Sequence, residues 1–117
     1  MAKTKTEIKN IIDDSIEYLK KKLRISSAYL FGSYAAGTAT EWSDVDLAVF
    51  SPDADKMNIE DRARLSADLR LNCHTEVELH IFPNKALKEA RQTNFCGYIL
   101  KNGVKVFGPA PKKLQTR

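Results

Sequence analysis

The chain has 117 residues, 43% of them apolar and 29% charged, which is the balance of an ordinary globular protein. That length allows one modest core and is too short for two, so one domain over residues 1–108 is expected, with a basic tail over 109–117. No apolar stretch has the length of a membrane span, and the start, MAKTKTEIKN, lacks the apolar segment of a signal peptide, so a cytoplasmic protein with no membrane partner is expected.

Two cysteines without a C-x-x-C pair speak against a zinc ribbon or a redox pair, and Cys73 and Cys96 read as reduced, buried small hydrophobes. The net charge of +4 comes largely from Lys3, Lys5, Lys9, Lys20, Lys21, Lys22 and Arg24, with Lys112, Lys113 and Arg117 at the far end. A solvated helix face plus a basic tail accounts for it; so would attraction to polyphosphate, RNA or an acidic partner protein.

Residues 4 to 23 read as a helix, because Ile8, Ile11, Ile12, Ile16, Leu19 and Leu23 recur at three- and four-residue steps. Thr6, followed by acidic residues, is a plausible start. SAYLF is short, apolar and aromatic, as a buried strand should be, and Gly32 stops it. SYAAG has room for a turn or two of helix ended by Gly37, and TATEWS is a polar loop. DVDLAVF is the second strand. A helix fits residues 58 to 71, with Ile59, Ala63, Ala67 and Leu71 on one face, widened by Leu65 and Leu69.

TEVELHIF alternates strictly: Val77, Leu79 and Ile81 point one way, and Glu76, Glu78 and His80 the other. Pro83 ends it. Short helices near 84–92 and 95–102 follow, the second closed by Gly103, and VKVF forms an edge strand. The expected class is α/β (α+β): a small mixed sheet flanked by helices.

Asp44 and Asp46 are two apart on a strand and so face one side, with no basic residue between them. Such a pair repels unless something positive sits there, and Mg²⁺ prefers hard oxygen ligands of this kind. Upstream, Gly32 directly after a strand lets backbone approach a ligand, and Ser33 opens a helical turn whose free amides suit phosphate. Gly32 and Gly37 have the spacing of a P-loop, but Thr38 and Ala39 stand where that motif needs Lys and then Ser or Thr. His74, Glu76, Glu78 and His80 alternate as zinc ligands could, yet beside two aspartates the histidines read as strand-end or site-wall residues. Trp42 reads as a cover on the core edge, with stacking on a base as the alternative.

Taken together, Gly32-Ser33, ten intervening residues and Asp44-x-Asp46 resemble the G-S-x10-D-x-D signature of the nucleotidyltransferase superfamily that includes DNA polymerase β. The chain is most similar to its smallest branch, the minimal nucleotidyltransferase (MNT) domains. A third carboxylate on a later strand belongs to that pattern, and VELHIF supplies it, with Glu78 the best match and Glu76 the alternative. NFCGYILKNGVKVFG looks like the family's closing helix and strand, so the resemblance runs from Tyr29 to Gly108. Two departures stand out: Ala36 replaces a basic residue that many relatives carry, and the third acid is Glu rather than Asp.

The resemblance implies a nucleotidyltransferase fold and transfer of a nucleoside monophosphate, AMP from ATP, to an acceptor hydroxyl. It implies that Asp44, Asp46 and Glu78 hold two Mg²⁺ ions, with Glu78 placed as general base. It implies that Gly32 and Ser33 hold the phosphates. The implied partner is a HEPN-domain toxin, which the chain would serve as antitoxin, or a second copy of the chain. A non-catalytic antitoxin with a vestigial nucleotide site and modification of RNA ends are the alternatives.

Overall fold

Thr4 and Glu7 start the first helix, α1 (Lys5–Lys20), in the computed structural model, which describes residues 2–91 and 94–109. The Glu7 amide donates to Thr4 Oγ1 at 3.1 Å and the Thr4 amide donates to Glu7 Oε1 at 2.7 Å. This reciprocal box satisfies two otherwise orphaned donors, which is why the helix begins there and not at Thr6. The stripe Ile8, Ile11, Ile12, Ile16 and Leu19 is buried as its spacing predicts. Ser15 shares that face, and its hydroxyl donates to the Ile11 carbonyl at 2.7 Å. The regular helix stops three residues before the expected end, although Leu23 is still buried.

The remaining elements are β1 (Ser27–Phe31), α2 (Ser33–Ala36), β2 (Val45–Ser51), a 3₁₀ turn (Pro52–Lys56), α3 (Ile59–Asn72), β3 (Val77–Pro83), α4 (Lys85–Lys88), α5 (Phe95–Asn102) and β4 (Val104–Phe107). The strands form one mixed sheet in the order β3-β2-β1-β4. β1 pairs antiparallel with β2 and β4, whereas β2 and β3 run parallel through the α3 crossover. Ala28, Leu30, Val45, Leu47, Val49, Val77, Leu79 and Ile81 face one core, shared with α1 and α3. Phe31, Ala48 and Phe50 face the other, shared with Cys96 and Ile99 of α5. β2 lies between two strands and under helices on both sides, so its apolar residues are almost wholly buried.

The face of α3 differs from expectation. Ile59 and Leu71 are 86% and 80% exposed, while Leu65 and Leu69 are buried. Arg62 takes the remaining inward position: it donates to the Ile81 carbonyl at 3.2 Å and to the Ala54 carbonyl at 2.9 Å. Two apolar stripes were available, and the one whose arginine satisfies strand and turn carbonyls is the one turned inward. Leu69→Ala is therefore expected to cost about 2–5 kcal/mol in urea unfolding, and Leu71→Ala less than about 0.5 kcal/mol.

The helix expected at 84–92 is a single turn, and residues 92 and 93 lie outside the described residues, as does the expected tail from 110 onward. Asn94 caps α5 by accepting from the Gly97 amide at 2.8 Å. Both cysteines are free thiols; Cys96 is buried, but Cys73 is only half-buried, at the end of α3. Among the described residues no helix is long and apolar enough to cross a membrane.

Candidate active site

β1 ends at Phe31, and the chain turns at Gly32 with φ 78° and ψ −154°, a region essentially confined to glycine. α2 follows, and Gly37 closes it in the left-handed conformation at φ 80°. The Ala35 and Ala36 amides both return to the Gly32 carbonyl, at 3.1 and 3.0 Å. The leading amides of such a turn, those of Ser33 and Tyr34, have no partner within it. Gly32 is tight as well as bent: a Cβ there would overlap Asp46 Oδ2. The missing side chain is what brings the Gly-Ser turn against the Asp46 carboxylate.

Sheet register does the rest. Phe31 pairs with Asp46, Asp46 with Glu78, and Ala48 with His80, so these residues share the sheet face that α5 covers further along. Asp46, Glu78 and His80 each offer one ligand atom within 4.8 Å of the others. His80 Nε2 stands 3.6 Å from Glu78 Oε2. Asp44 lies one residue before β2, exposed and outside that close group, although its charge still reaches Asp46.

The Asp46 carboxyl is raised to about 6, first by burial, then by the charges of Glu78 and Asp44 and by a hydrogen bond with Glu78. Acids crowded without a counter-ion behave in this way, and a set of two carboxylates and an imidazole fits a divalent cation.

Glu76, the alternative third acid, goes elsewhere. It lies 3.8 Å from Lys3 Nζ and 3.6 Å from His74 Nδ1, and His74 Nε2 meets Asp14 of α1 at 2.9 Å. The parallel register places Glu78, and not Glu76, beside Asp46.

His80 is expected at a strand end or in the wall of the site. It does form a wall, its ring edge-on to Phe31 at 5.2 Å and Phe95 at 5.6 Å, and burial holds it below the usual imidazole range. It also places a ring nitrogen within 4.8 Å of a carboxylate oxygen of each acid, which goes beyond a wall. The signal was its place two residues after Glu78 on the same strand face.

Trp42 does not cover the core edge: it is 85% exposed. Its loop is pinned by the Thr40 amide donating to Ser43 Oγ at 2.8 Å and the Trp42 amide donating to Thr40 Oγ1 at 3.2 Å. The indole stands outward just before Asp44. Ala36 is exposed and leaves α2 without a basic residue in its last turn.

Comparison with known proteins places the chain by family and by fold. The sequence profile of the family described as "Polymerase beta, Nucleotidyltransferase" matches residues 13–111. A candidate protein adenylyltransferase of Methanocaldococcus jannaschii is 38% identical over 78 residues, covering 65% of this chain and 52% of the relative. The chain thus spans about half the length of the curated relatives it matches. A candidate nucleotidyltransferase from Sulfolobus solfataricus superposes with a TM-score of 0.66 over 92% of each chain, and at 17% identity that likeness speaks for the fold alone. A solved structure described as a toxin–antitoxin with AMP-PNP superposes with a TM-score of 0.62 at 26% identity, over 86% of this chain and 73% of that one.

Proposed function

The chain belongs to the polymerase β nucleotidyltransferase family, and from that premise we propose that it transfers AMP from ATP to a hydroxyl of a partner protein, acting as the antitoxin of a HEPN-domain toxin. The observation that carries this reading is the meeting of Asp46 and Glu78 on adjacent strands against the Gly32-Ser33 turn, with Asp44 one step upstream of β2. The likeness to a toxin–antitoxin holding AMP-PNP and to a candidate protein adenylyltransferase supports both the nucleotide and the protein partner.

In this reading the acceptor oxygen bonds to the α-phosphorus, the bond from that phosphorus to its bridging oxygen breaks, and pyrophosphate leaves. Ser33 and the leading amides of α2 hold the β- and γ-phosphates. Asp44, Asp46 and Glu78 would hold Mg²⁺, two ions by family resemblance, which supplies charge neutralisation for the triphosphate and the attacking oxygen. Glu78, 47% exposed at its side chain, is open to an incoming hydroxyl and accepts its proton. Asp46 lies deeper, directly against the Gly32 turn.

A second reading, a non-catalytic antitoxin with a vestigial nucleotide site, draws on the missing charge at Ala36. Modification of RNA ends draws on the net charge of +4. Incubation with ATP labelled at the α-phosphate, Mg²⁺ and the co-purified partner separates the three. Label on the partner supports transfer to protein, and label on RNA ends redirects the acceptor. Inhibition of the partner with no label on either leaves the vestigial site.

A further inference from the structure

We propose that His80 is a metal ligand whose Nε2 completes, with Asp46 and Glu78, a mixed oxygen–nitrogen site that holds Mn²⁺ and similar first-row transition ions more tightly than Mg²⁺. The inference rests on the nucleotidyltransferase reading of that site but goes beyond its set of carboxylates.

Three observations carry it. The parallel register puts His80 on the strand face of Asp46 and Glu78, and one ligand atom of each lies within 4.8 Å of the other two. The Nε2–Oε2 separation of 3.6 Å is longer than a hydrogen bond, so neither atom is consumed by the other. The ring is also pre-set: Phe31 and Phe95 hold it edge-on at 5.2 and 5.6 Å, so little side-chain freedom remains to be lost on binding. The chain's other histidine is occupied elsewhere, between Asp14 and Glu76. Imidazole suits borderline first-row ions, whereas Mg²⁺ prefers all-oxygen surroundings and keeps its waters. A nitrogen donor beside two carboxylates therefore tilts the site away from Mg²⁺ without closing it to that ion.

The test uses Mn²⁺ as the probe, with pulsed EPR for ligand identity and calorimetry for affinity, on the wild type, His80→Phe, His80→Ala and Asp46→Asn. His80→Phe keeps an aromatic ring between Phe31 and Phe95 and removes the nitrogen, and a thermal melt verifies that each variant is folded. The expected result is nitrogen hyperfine coupling from a directly bound imidazole in the wild type, lost in both His80 variants. Mn²⁺ affinity should fall about tenfold or more in them, and Mg²⁺ affinity less than about twofold. Mn²⁺ bound without nitrogen coupling, or coupling that persists in His80→Phe, overturns the role of His80 and leaves the carboxylate site standing. No Mn²⁺ binding to the wild type overturns the metal-site reading itself.

Discussion

Asp46→Asn should lower the rate of nucleotidyl transfer by about 10³-fold while raising the melting temperature of the ion-free protein near pH 7.5. The loss follows from position. Asp46 is the acid that touches both the Gly32 turn and Glu78, and its removal deprives the site of its shared carboxylate.

The gain in stability follows from its proton. Asp46 titrates at about 6 in the folded chain against 3.8 for an ordinary aspartate. Below about pH 4 the carboxyl is protonated in both states and contributes nothing. Between there and about pH 6 the folded chain keeps a proton that the unfolded chain has released, so stability falls as pH rises. Above that window the penalty is complete. The site is partly open to solvent, so screening reduces the penalty to about 1 kcal/mol, a few degrees in melting temperature. Asparagine mimics the protonated acid and escapes the penalty. The variant should therefore melt higher than wild type near pH 7.5 and nearly level with it near pH 4. Thermal melts at the two pH values, beside a labelled-ATP assay, check both signs.

Gly32→Ala is expected to reduce transfer about 100-fold and to lower the melting temperature by about 5–10 °C. Two separate effects combine. The backbone at φ 78° and ψ −154° is strained for any residue with a Cβ, by about 1–3 kcal/mol. The new methyl would also occupy the space of Asp46 Oδ2, so the carboxylate or the turn must move. Gly37→Ala separates the two effects, because Gly37 has φ 80° but open space where its Cβ would stand. It should lose about 1–2 kcal/mol of stability and keep kcat/KM within about threefold of wild type. A similar loss of activity in both variants would mean that Gly32 acts through general destabilisation and not through its contact with Asp46.

Much of the fold was legible because its strands are short, apolar and bounded by glycine or proline. SAYLF and VKVF are strands over the expected residues, DVDLAVF begins one residue late and runs on to Ser51, and Val77, Leu79 and Ile81 turn inward as their alternation requires. The Gly32-Ser33 turn and the place of Asp46 on β2 were legible for a similar reason, since they need only local geometry. Asp44, expected on the same strand face, instead precedes the strand and is exposed. What escaped depends on tertiary pairing. Family resemblance picks Glu78 over Glu76, but the physical reason lies in the parallel register of β3 on β2, which sets Glu78 beside Asp46 and sends Glu76 to Lys3 and His74. The same register makes His80 a neighbour of both acids. On α3, apolar spacing alone could not rank two stripes, and the polar bonds of Arg62 decided between them. A lone loop tryptophan such as Trp42 is expected to cover the core edge, whereas it is 85% exposed on a loop tied by its own hydrogen bonds.

Everything proposed for this chain depends on one pocket serving a cation and a triphosphate together. A crystal grown with Mn²⁺ and a non-hydrolysable ATP analogue, with data collected at the manganese edge, would locate both at once. An anomalous peak between the Asp46 and Glu78 carboxylates, with the analogue's phosphates against the Gly32-Ser33 turn, is the predicted outcome. Manganese or nucleotide bound away from those residues would contradict it.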